Sequence, residues 1–103
     1  MSDKITIFLA IDDDKLLNEI QPLINKDKFR IESYHSEVEC IQNLDHKPDY
    51  LLIDYHLNNN SDQKEKKSVS VIESIKKLKL KTKIFMFSDR GSVKIYLAMI
   101  ENK

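Results

Sequence analysis

Four short stretches hold residue types able to do chemistry together. Asp12-Asp13-Asp14 follow an apolar run, Asp54 ends a second one, and Ser88-Asp89 end a third; His56 lies two residues beyond Asp54. Asp54 closes YLLIDYHL, Tyr50–Leu57, where an acid has no packing reason to stand. An ionised carboxylate at the end of a buried strand is costly unless it is paired or liganded. Carboxylates brought to one edge repel each other unless a cation binds. Oxygen donors without a thiolate or a histidine pair suit a hard ion, and Mg²⁺ takes one or two carboxylates plus waters and a phosphoryl oxygen.

The elements that must position these residues follow from periodicity. Lys4–Ile11 is a continuous apolar, β-branched run that reads as the first strand. Lys15–Lys26 repeats Leu16, Leu17, Ile20, Leu23 and Ile24 at helical spacing, with Asp14 expected as its cap and Pro22 expected to bend it. Phe29–Tyr34 is a more polar strand suited to a sheet edge. Ser36 with Glu39 forms a capping box opening a helix expected to bury Val38, Ile41 and Leu44. Tyr50–Leu57 is a strand buried on both faces, and Tyr55–Lys67 is a polar stretch without periodicity. A helix over Ser68–Lys79 places Val71, Ile72, Ile75 and Leu78 on one face. Thr82–Phe87 is a fourth strand, and Ser92–Asn102 is a helix burying Val93, Tyr96, Leu97 and Ile100.

This alternation predicts one α/β unit over residues 1–103, with a parallel sheet, right-handed crossovers and helices on both faces. Parallel strands share one carboxyl edge and lie roughly 4.8 Å apart, so Asp12, Asp13, Asp54 and Ser88 are expected as neighbours there. Other classes are disfavoured. Lys plus Arg and Asp plus Glu both number 17, which leaves no net field for nucleic acid or an anionic membrane. One cysteine, Cys40, allows no intrachain disulfide and no zinc spacing, and Gly91 as the lone glycine excludes a Gly-rich phosphate loop. The N-terminal run Ile5–Ile11 is too short for a membrane span, and a cytoplasmic protein is expected.

IFLAIDDD, PDYLLIDYHL and KIFMFSD, in this order and spacing, resemble the receiver domain of two-component response regulators. The resemblance covers essentially the whole chain. It implies a flavodoxin-like three-layer α/β/α fold with sheet order 2-1-3-4, in which the family's fifth strand is missing. It implies that Asp12 and Asp13 bind Mg²⁺ with Asp54 and the His56 backbone carbonyl. Asp54 would accept a phosphoryl group from a histidine kinase or histidine phosphotransfer protein, and Ser88 would be the switch hydroxyl. Such a domain is a signalling switch, not an enzyme in its own right.

The chain departs from that pattern in several places. The lysine and aromatic switch residue of the fifth strand have no counterpart. Asp89 stands where the family prefers a small residue, and Asn58 with a polar insertion around Ser61–Lys67 replaces the usual proline and glycine. Arg90 and Lys15 are the candidates for a substitute cation. The alternative is therefore a receiver-like protein-interaction module that is not phosphorylated. A phosphohydrolase lacks its second acid, because His56 holds that place. More ordinary roles compete at each position: helix caps for Asp12 and Asp13, a turn residue at Ser88, surface for His35, His46 and His56, core for Cys40. An uncovered fourth strand would be an open apolar edge, which predicts either a truncated chain or a homodimer through it.

Overall fold

The computed structural model describes residues 4–57 and 69–102. The strands are β1 (Ile5–Ala10), β2 (Phe29–Tyr34), β3 (Tyr50–Asp54) and β4 (Lys83–Phe87); the helices are α1 (Asp14–Ile20), α2 (Glu37–Gln42), α3 (Val69–Lys77) and α4 (Arg90–Glu101). All strand pairs are parallel and the order is β2-β1-β3-β4, a flavodoxin-like α/β arrangement. Residues 58–68, which hold most of the polar stretch and the first residue expected in the third helix, lie outside the described residues.

Alternation along the central strands builds two cores. Ile7, Leu9 and Ile11 with Tyr50 and Leu52 face α1 and α4. Phe8 and Ala10 with Leu51 and Ile53 face α2 and α3. Both faces of β1 and β3 are therefore buried, which is why these strands read as unbroken apolar runs. β2 is the polar edge, as its sequence implies, and Tyr34 and His46 both hydrogen-bond Glu32 Oε1 at 2.7 Å. Burial pushes the Glu32 carboxyl up, but those two hydrogen bonds together with the His46 and Arg30 charges outweigh it and hold the group below its ordinary value.

Several local expectations are corrected. Pro22 does not bend a long helix: α1 stops at Ile20, and Gln21–Leu23 form a 3-10 turn with the proline in its first positions. Ile24 is then buried while Leu23 turns outward. Asp13, not Asp14, caps α1, accepting from Lys15 and Leu16 N–H at 3.0 and 3.3 Å. Ser36 accepts from Glu39 N–H as expected, but the Glu39 carboxylate reaches His35 N–H. The inward face of α2 carries Glu37, Cys40 and Ile41, followed by Leu44, while Val38 is 62% exposed. Burial raises the Cys40 thiol to about 12, so it behaves as a core apolar group. α3 ends before Leu78 because the chain turns left-handed at Lys79 (φ 57°) and Leu80 N–H returns to Ile75 C=O at 3.1 Å. Leu80 thus packs on that core in place of Leu78. In α4, Val93, Leu97 and Ile100 are buried in the other core, shared with α1, and Tyr96 is half-buried against it.

Candidate functional site

Register brings the chemistry-bearing residues to one edge. Ala10 of β1 pairs with Ile53 of β3, and Asp54 pairs with Phe87 of β4. Tyr55 N–H donates to Phe87 C=O at 2.8 Å, so β3 and β4 stay joined to their last residues. Asp12-Asp13 therefore leave the sheet on one side of Asp54, and Ser88 leaves it on the other.

Asp54 is half-buried, and its Oδ1 accepts the His56 N–H at 2.9 Å. Leu57 N–H bonds the Asp54 carbonyl at 3.1 Å, and the Leu57 side chain is buried in the α2–α3 core. The turn beyond the carboxylate is thus anchored from below, while Tyr55 and His56 stay exposed with their rings edge to face at 5.0 Å. Asp12 and Ser88 are exposed.

Asp13 is committed to more than the cap. Its Oδ2 accepts Arg90 Nη2 at 2.8 Å, and Arg90 Nη1 reaches Glu19 Oε1 at 3.3 Å. Arg90 is the first residue of α4, so this ion pair ties the start of α4 to α1 across the carboxyl edge. The far end of α4 is tied as well: Asn25 N–H donates to Glu101 Oε2 at 3.2 Å, and Lys28 Nζ donates to the Glu101 carbonyl at 3.0 Å. Asp89 is the N-cap of α4. Its Oδ1 accepts from Ser92 N–H at 2.9 Å. Asp14 pairs with His35 Nε2 at 2.8 Å, and this hydrogen bond holds the imidazole above its ordinary pKa.

Of the residues singled out in the sequence, Asp12, Asp13, Asp54, His56 and Ser88 all fall at this edge. Their donor set is all oxygen, which fits a hard divalent cation, and a positive group already stands at Asp13 in the form of Arg90. Among the described residues, no group of three His, Cys, Asp or Glu side chains is arranged to hold a metal ion. A cleft of about 460 Å³ lies at the opposite edge, lined by Lys47, Pro48, Asp49 and Leu78–Lys81, away from this chemistry.

Sequence reasoning missed that Asp13 and Arg90 meet, because the pair is separated by 77 residues and depends on α4 packing beside α1. The available signal was the place of Arg90 directly after Ser88-Asp89, which makes it a candidate cation for this edge. Comparison with family models, curated proteins and solved structures finds no match. Among the described residues, no helix is long and apolar enough to cross a membrane. The class that fold and site define is a flavodoxin-like α/β domain with an acidic carboxyl edge.

Proposed function

We propose that this chain is a phosphoacceptor receiver domain of a two-component signalling system, cytoplasmic, taking a phosphoryl group on Asp54 from a histidine kinase or histidine phosphotransfer protein. The observation that carries the reading is the register that sets Asp54 between Asp12-Asp13 and Ser88 at the carboxyl edge.

In this reading an Asp54 oxygen attacks the phosphorus in line, the P–N bond to the donor histidine breaks, and the imidazole leaves with that electron pair. The His56 N–H orients the attacking carboxylate. Asp12, Asp13, Asp54 and the His56 carbonyl would hold Mg²⁺, which supplies neutralisation of phosphoryl charge during transfer. The Ser88 hydroxyl then donates a hydrogen bond to a phosphoryl oxygen and keeps its proton. Because Asp89 caps α4 one residue later, movement at Ser88 is passed directly to α4. A second copy is the partner assigned to the outer edge of β4, since among the described residues no strand pairs with it.

Incubation with Mg²⁺ and a small phosphodonor should add one phosphoryl mass, lost in Asp54→Ala. One observation favours the second reading, a receiver-like interaction module without phosphorylation: the Arg90–Asp13 pair occupies one of the proposed metal ligands. That reading predicts self-association or partner binding unchanged by Asp54→Asn and by metal removal.

A further inference from the structure

The Asp13 carboxylate is shared between two kinds of donor. Oδ1 takes two N–H groups of α1, and Oδ2 takes the Arg90 guanidinium at 2.8 Å. The second arm of Arg90 rests on Glu19 at 3.3 Å. The side chains of Arg90, Asp13 and Glu19 are 50%, 42% and 56% exposed, so solvent ions reach the pair and it can exchange. Arg90 also stands two residues beyond Ser88, at the first turn of α4. One side chain therefore connects the acidic end of β1 with the segment that follows β4.

We infer that Arg90 is a resident counter-ion of the acidic edge, which a divalent cation displaces from Asp13 when it binds. The inference rests on the reading that this edge takes such a cation, and it adds that metal binding and the docking of the α4 start onto α1 oppose each other. Linkage makes the opposition reciprocal: what holds Arg90 on Asp13 weakens the metal, and the metal loosens Arg90. Arg90 is a positioning residue here, since it acts through Asp13 and the start of α4.

The test is a Mn²⁺ titration followed by water-proton relaxation, on the wild type, Arg90→Gln and Arg90→Lys. Removing one positive charge from the neighbourhood of an exposed site should tighten Mn²⁺ binding roughly three- to tenfold in Arg90→Gln. Arg90→Lys, which keeps the charge without the two-armed geometry, should fall between the two. In the Asp13→Asn background the advantage of Arg90→Gln should disappear. Mg²⁺ should also shift the Arg90 side-chain NMR signal of the wild type, a change that loss of a merely structural contact in the variants would not mimic. Equal Mn²⁺ affinity in wild type and Arg90→Gln overturns the inference, and so does absence of binding to both. Tighter Mn²⁺ in Arg90→Gln without any Asp54 adduct keeps Arg90 as the counter-ion and removes the phosphoacceptor reading. An adduct with unchanged metal affinity does the reverse.

Discussion

Asp89 separates two physical roles that one carboxylate can play, and two substitutions tell them apart. In the sequence it is a negative charge directly after Ser88, which would repel a phosphoryl group arriving at the proposed site. In the structure it is also the N-cap of the 12-residue helix α4, with Oδ1 2.9 Å from Ser92 N–H and 3.2 Å from Ser92 Oγ. The first four N–H groups of a helix lack partners within it, and loss of a side-chain cap costs about 1 kcal/mol. Asp89→Ala should therefore lower stability by about 1 kcal/mol, a fall in Tm of about 4–8 °C for a domain near this size. Asp89→Asn keeps the acceptor and should stay within about 0.5 kcal/mol of the wild type. Thermal unfolding followed by far-ultraviolet circular dichroism measures both, and urea titration should give an unchanged m-value. Both variants remove the charge, so any gain in Asp54 phosphorylation should be equal in the two. A full loss of stability in Asp89→Asn, or none in Asp89→Ala, would refute the cap argument.

Three further outcomes are expected. Asp14→Asn should return the His35 pKa toward its ordinary value near 6.5 in an NMR titration, because the hydrogen bond to Asp14 is what raises it. A raised histidine value means the pair contributes fully below the unfolded-state pKa and is lost as pH rises through the folded-state one; at this exposure the contribution is under about 1 kcal/mol. On the α2 side, Leu44→Ala should cost about 2–5 kcal/mol while Val38→Ser stays within about 0.5 kcal/mol, since Leu44 is buried and Val38 is exposed; equal costs in a urea titration would contradict the observed face. In β4, Lys83 N–H bonds Asp49 C=O and Phe87 C=O bonds Tyr55 N–H, so ladder alternation turns the Met86 backbone outward. Met86→Pro should then convert a dimer to a folded monomer by light scattering; a wild type that is monomeric at high concentration would rule out the β4 edge as the contact.

Much of the fold was legible because parallel strands buried on both faces leave continuous apolar runs, and crossover helices leave a 3.6-residue repeat. β2 was read to its observed ends, and the order β2-β1-β3-β4 agrees with the expectation. What failed did so at helix ends, where a few local bonds outweigh periodicity. Leu23 and Leu78 fit the repeat but fall in turns set by Pro22 and by the left-handed Lys79. Val38 fits an apolar face on hydrophobicity, yet Glu37 is the residue turned inward, and short α2 offers too few turns for a repeat to decide. At the edge, Asp54 was legible because a charge interrupts an apolar run. The division of labour among Asp12, Asp13 and Asp14 was not, because consecutive aspartates before a helix are equivalent until cap geometry and long-range partners choose between them. Tertiary packing made that choice, through Arg90 for Asp13 and His35 for Asp14.

The central claim is that Asp54 accepts a phosphoryl group at an edge it shares with Asp12, Asp13 and Ser88. Intact-mass measurement after incubation with Mg²⁺ and a small phosphodonor tests it most directly, on the wild type and on Asp54→Ala. The expected result is a single phosphoryl adduct that is labile at alkaline pH, requires Mg²⁺, and is absent from Asp54→Ala. A chain that stays unmodified, or an adduct that persists in Asp54→Ala, would contradict it.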